Sequence, residues 1–127
     1  MATILADSGR ALAQNRLNGA GTLPGYLAWG TGAGTAGVTD TTLFTEDTAG
    51  SPTYARILGT ASLQTTSVTN DTFQVTGTIT SNGSKTVTNA GVFDALTTGN
   101  LFLKADFTGV VLNSGDSITF TWKWQLS

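Results

Sequence analysis

Eight side chains could carry acid or base chemistry: Asp7, Asp40, Glu46, Asp47, Asp71, Asp94, Asp106 and Asp116. The chain has no histidine and no cysteine. Imidazole bases, thiolate nucleophiles and the usual zinc ligands are therefore unavailable, which leaves carboxylate, lysine or tyrosine chemistry. Two carboxylates held across a sugar would make a glycosidase. Nearly all eight, however, sit beside Asn, Gly, Ser or Thr in stretches that read as turns, where an Asp accepts backbone N–H bonds. Asp40, Glu46 and Asp47 offer oxygen ligands for calcium but lack EF-hand spacing. Gly30-Thr31-Gly32-Ala33-Gly34 has the look of a phosphate loop, yet neither Gly-Lys-Ser/Thr nor a helix follows it. No catalytic, cofactor-binding or metal-binding residue is assigned. The chain reads as a non-enzyme that needs no cofactor.

The elements that would position these groups are mostly strands. Ile118, Phe120, Trp122, Trp124 and Leu126 alternate without a break with Thr119, Thr121, Lys123 and Gln125. Successive strand side chains point to opposite faces, so this stretch predicts a half-buried strand with its aromatic side toward a core. Phe73, Val75, Gly77 and Ile79 alternate in the same way within residues 72–80. The Asn82-Gly83 pair that follows predicts a type I′ hairpin, with residues 85–93 antiparallel to 72–80. In residues 85–93 Val87 is expected inward, and Asn89 and Gly91 mark a bulge or an edge. Further strands are expected at 26–29, 53–66 (from Tyr54 to Leu63, with mixed faces) and 101–107, residues 109–112 read as a short apolar piece, and residues 41–46 read as a short strand or helical turn. Loops are expected at 30–40 and 47–52, with turns at 67–71, 94–100 and 113–116.

Short strands joined by Gly, Asn and Ser turns, with little helical pattern, indicate an all-β fold. The expected architecture is a single antiparallel β-sandwich, jelly-roll-like, over residues 25–127. The partners expected for the last strand are 72–80 and 101–107. Trp29, Trp122 and Trp124 could present a sugar-stacking face, but the apolar company of the last two favours core.

Residues 1–24 differ from the rest. Asp7 or Ser8 could cap a short helix through Arg10 to Leu17, with Asn18-Gly19 as its left-handed stop. The apolar face would be thin. The alternative is an extended arm with Ile4, Leu5, Leu12, Leu17 and Leu23 as separate anchors.

Charged residues are only 11% of the 127, and the formal net charge is −2. Six scattered basic residues make no phosphate-binding stripe, so nucleic acid is not an expected partner. No apolar run reaches the length of a membrane span, and the first residues lack the basic start and apolar core of a signal peptide. A cytosolic product with no membrane partner is expected. A surface so poor in charge must be largely hydroxyl and amide, which suits a protein packed against other proteins.

Four stretches carry a resemblance: Tyr26 to Gly34 (Y-L-A-W-G-T-G-A-G), Thr41 to Glu46 (T-T-L-F-T-E), Asn89 to Asp94 (N-A-G-V-F-D), and Leu101 to Lys104 with Gly115 to Ile118. Together they resemble small structural proteins of tailed bacteriophages, in which a W-G-x-G loop, an L-x-x-E segment, an A-G-[LV]-F-[DN] turn and a terminal G-D-x-[LI]-x-[FV]-x-W strand recur. The resemblance covers nearly all of the chain after residue 24. It implies a virion protein without assigned activity, such as a capsid decoration (cement) protein, or else a tail, baseplate or fibre component. The implied partners are the major capsid protein and the chain itself, as a homotrimer or other symmetric oligomer. It would be made in the host cytoplasm and placed on the capsid surface. Residues 1–24 would then contact a neighbouring subunit through Ile4, Leu5, Arg10, Leu12, Arg16, Leu17 and Leu23. A glycan-binding module and a hydrolase are the readings from other classes.

Overall fold

The computed structural model describes residues 2–47 and 56–126. In chain order the elements are β1 (Ala2–Leu5), α1 (Asp7–Leu17), β2 (Tyr26–Gly30), β3 (Ile57–Leu58), β4 (Thr60–Gln64), β5 (Thr72–Thr80), β6 (Lys85–Phe93), β7 (Leu101–Leu112) and β8 (Ser117–Gln125). They build two antiparallel sheets packed face to face, one ordered β1-β7-β6-β2-β3 and the other β4-β5-β8. The fold is therefore an all-β sandwich with one short N-terminal helix.

The alternation of β8 has the expected consequence. Trp122 is buried, while Ile118, Phe120 and Trp124 pack on the core from partly buried positions. Its partner in the sheet is β5, in register from Thr72↔Gln125 to Thr80↔Ser117. β7 faces it from the other sheet instead of pairing with it: Phe102 meets Phe73 and Trp124 edge-on, at 5.9 and 5.7 Å between ring centroids. The outer face of β5/β8 is a hydroxyl ladder, in which Thr78 contacts Thr119 at 2.7 Å and Thr80 contacts Ser117 at 2.8 Å.

The Asn82-Gly83 turn corrects an expectation. β5 and β6 do not pair; they lie in different sheets, and the turn carries the chain across the sandwich edge. Neither residue takes the positive φ that a type I′ hairpin needs. Ser81 instead exchanges backbone bonds with the β7–β8 turn, Ser81 N–H to Asp116 O at 2.7 Å and Gly115 N–H to Ser81 O at 2.8 Å. Nine paired residues on β8 outweigh what a local turn can offer β5.

The mixed faces of the expected strand 53–66 also have a specific cause. The segment changes sheets at Gly59, between β3 and β4, where a side chain would strike Thr76 O at 2.7 Å and Leu27 Cδ1 at 2.8 Å. The first part of that expected strand, including Tyr54, and most of the expected loop 47–52 lie outside the described residues. The strand expected at 101–107 runs on through the apolar piece 109–112 as one element, Leu101–Leu112.

The outer face of the five-stranded sheet is apolar as well, and residues 31–47 cover it. Leu43 packs there with Ala6, Ala28, Phe93 and Leu101. The segment adds a single bridge, Gly30↔Glu46, to the edge of β2. Asn89 is fully buried in a bulged, central β6, not at an edge; its side chain accepts from Phe44 N–H and donates to Phe44 O, each at 3.0 Å. It takes the Phe44 N–H and shares the Phe44 carbonyl with Gly32 N–H, which donates to it at 2.9 Å. Gly30, Gly32 and Gly34 lie under Phe44, and any Cβ there would meet its backbone or ring. Lys104, fully buried on β7, lies 3.4 Å over the Phe44 ring and donates to Asp40 at 2.9 Å and to Thr42 O at 2.8 Å.

A buried ammonium left without its counter-charge is more costly than the pair is stabilising. Asp40 is 25% exposed at its side chain and can be hydrated; Lys104 cannot. Asp40→Asn should thus cost about 2–4 kcal/mol, and the volume-matched Lys104→Met clearly less. Urea denaturation of the two variants measures both, and the opposite ranking would contradict this account.

Candidate docking groove

Helix α1 plugs one end of the sandwich. Asp7 in its first turn and Arg16 in its last suit the helix dipole. The N-cap is Ala6, without a side-chain cap bond; Ser8 donates instead to Leu101 O at 2.7 Å, tying the helix to β7. Gly9 lies so close to the Phe102 carbonyl that no side chain fits between them. Gly19, at φ 77°, ends the helix as expected, and Ala20 N–H returns to Asn15 O at 2.8 Å. Both readings of residues 1–24 thus apply in part: a helix forms, and Ala2–Leu5 is extended, but as an edge strand on β7, from Ala2↔Asp106 to Leu5↔Leu103.

Between α1 and the ends of β4, β5, β7 and β8 lies an apolar groove of about 490 Å³. From the helix it takes Arg10, Ala13, Gln14 and Leu17, spaced i, i+3, i+4, i+7 so that they form one stripe, with Leu12 and Arg16 beside it. The opposite wall is Leu63, Phe73, Phe102, Trp124 and Leu126, and Leu5, Leu23 and Pro24 complete it. Leu17 is 75% exposed, Leu126 65%, Leu63 61% and Leu23 44%. Isolated exposed leucines are ordinary; four around one apolar groove are not.

Of the residues singled out in the sequence, Leu5, Arg10, Leu12, Arg16, Leu17 and Leu23 all line this groove. Ile4 does not; it packs with the outer cluster under Leu43. The sequence pointed to none of the opposite wall as an interface, because Phe73, Trp124 and Leu126 read as inward positions of strands. Phe73 and Trp124 are inward, at the open end of the sandwich, whereas Leu126 lies just past the end of β8 and is exposed, not on the core as its place in the alternation suggested.

Seven of the eight carboxylates, Asp40, Glu46, Asp47, Asp71, Asp94, Asp106 and Asp116, are engaged in bracing. Glu46 pairs bidentately with Arg56 at 2.7 and 2.9 Å, and Arg56 also lies 3.6 Å over the Phe93 ring. Asp47 accepts from Trp29 Nε1 at 3.0 Å and from Lys85. Asp106 accepts from Ala36 N–H at 2.9 Å, Asp94 from Asn100 N–H at 2.6 Å, and Asp116 from Asn113 N–H at 2.8 Å. Among the described residues no group of three His, Cys, Asp or Glu side chains could hold a metal ion. Trp29 is buried, so its ring offers no platform for a sugar. No helix among the described residues is long and apolar enough to cross a membrane. No protein-family model matches the chain, and no curated protein matches it in sequence.

Two carboxylates have pKa values held down by their bonds. Val68, Thr66 and Ser67 N–H groups converge on Asp71 and keep it well below the ordinary 3.8. Gly37 N–H, then Lys104, lower Asp40 from the same value. A group with a depressed folded pKa contributes stability that is present above its unfolded value and lost as pH falls through its folded value. Stability should therefore be insensitive to these two groups above about pH 5 and decline below pH 3.8. Asp71→Asn should flatten that acid limb in denaturation midpoints measured between neutral and acid pH; an unchanged limb would show that Asp71 is not responsible.

Proposed function

We propose that this chain is a non-enzymatic structural protein of a tailed-bacteriophage virion, placed on the outer capsid surface as a decoration (cement) protein. There it would bind the major capsid protein and bridge neighbouring subunits, as a homotrimer or other symmetric oligomer. The observation that carries this reading is the exposed apolar groove built by α1 against the end of the sandwich. A domain that leaves Leu17, Leu23, Leu63 and Leu126 in water around an apolar cleft is suited to covering them with another protein.

Two further observations support it. Several of the residues quoted for the phage-like pattern lie against one another: Gly30 and Gly32 abut Phe44, Leu43 lies over Gly91, and Glu46 and Phe93 both meet Arg56. The hydroxyl ladder on β5/β8 and the low charge give a neutral exterior that tolerates close neighbours. Repeated copies on a symmetric shell would let modest single contacts hold firmly.

Removal of residues 2–20 is not a clean test, since it would take β1 from its sheet and α1 from the core. Point changes on the groove rim are cleaner. Capsids lacking the protein should be less resistant to heat and should rebind the purified chain stoichiometrically. Leu17→Asp with Leu126→Asp should weaken rebinding at least about tenfold while leaving the far-ultraviolet circular dichroism unchanged. Capsids that neither rebind the chain nor change in heat resistance would remove the cement role, and labelled protein found on tails would move the site there.

A further inference from the structure

The polar side chains of the groove are of one charge type. Arg10, Arg16 and the amide of Gln14 line it, and no Asp or Glu does. Three ion pairs occur among the described residues, Arg56–Glu46, Lys85–Asp47 and Lys104–Asp40, and neither groove arginine belongs to any of them. Arg16 is nevertheless held in place: its Nη1 donates to Gly21 O at 2.9 Å. That one bond leaves the charge and most of the donors of the guanidinium fork for something outside. This cationic rim stands on a chain of net charge −2, so it is a local feature and not part of a basic surface.

We infer that the groove receives a polypeptide segment of acidic and apolar character, its leucine-sized side chains entering between Ala13, Phe73 and Trp124 and its carboxylates meeting Arg10 and Arg16. The volume suits apolar anchors of that size. Leu17 on the helix wall and Leu63 and Leu126 on the opposite wall leave the groove open along its length, so an occupant meets exposed apolar side chains on both sides. Arginine at the rim favours carboxylates through its bidentate geometry and speeds encounter with an acidic partner. The inference rests on the groove being a docking site; it does not require the partner to be a capsid.

The test uses the full chain and two fluorescein-labelled synthetic peptides that share a leucine pattern, one flanking it with glutamates and the other with lysines. Fluorescence anisotropy at low salt should show the glutamate peptide binding at least about tenfold tighter, with the difference shrinking as salt is raised. The double variant Arg10→Glu, Arg16→Glu should reverse the preference. Leu17→Ala with Leu126→Ala should weaken the glutamate peptide without reversing it. All four positions are on the groove rim, and circular dichroism checks that the variants fold. Equal binding of the two peptides, a lysine preference, or no binding of either would overturn the inference. So would binding of phosphatidylglycerol vesicles in place of the glutamate peptide. Failure here with normal capsid rebinding would leave the docking role standing and remove only its charge selectivity; failure of rebinding with the peptide preference intact would do the reverse.

Discussion

The structure depends on a covering problem: a five-stranded sheet with two apolar faces and only one other sheet to pack against. The three strands β4, β5 and β8 bury the inner face. Residues 31–47 must bury the outer one, and beyond a few backbone bonds between 29–32 and 44–47 the segment has no ladder to satisfy its polar groups. Asn89 and Lys104 supply those partners from within the sheet, bonding Phe44 and Thr42, while Asp40 balances the ammonium. Both side chains are fully buried and fully committed, and among the described residues no buried side-chain nitrogen or oxygen is without a partner. Such a network costs desolvation, yet it admits one loop conformation in place of many.

The same mismatch of sheet sizes gives the molecule its groove. A three-stranded sheet does not close the end of a five-stranded one, and α1 fills the gap only partly because its apolar surface is small. Leu12 reaches the core, whereas Leu17 remains in water. The ends of β5 and β8 therefore show Phe73 and Trp124 to the groove from behind the helix. Stability and recognition are thus separated in space: charged and amide side chains fasten one face of the molecule, and an incompletely covered core opens at one end. For a protein proposed to hold a shell together, that separation lets the docking surface stay apolar without loosening the fold.

The sequence by itself determined the class of fold and the direction of its clearest strands. The period of two in β5 and β8 puts one row of side chains on the core whatever the partner strand is, because strand geometry enforces alternation locally. The stop at Gly19 and the turns braced by Asp71, Asp94 and Asp116 were legible for the same reason: each involves residues a few positions apart. The leucines and arginines of the N-terminal segment stood out as a group without a visible surface to lie on. Only the tertiary structure decided that β5 joins β8 and not β6, that Gly59 passes the chain between sheets, that β1 is an edge strand, and that Ile4 and Leu5 part to opposite sides of it. Pairing is a competition among distant segments, and a good turn sequence loses to a longer ladder elsewhere. The groove, too, existed only once residues 5–24, 63, 73, 102, 124 and 126 were brought together, since no local pattern marks an inward side chain that happens to stand where the core runs out.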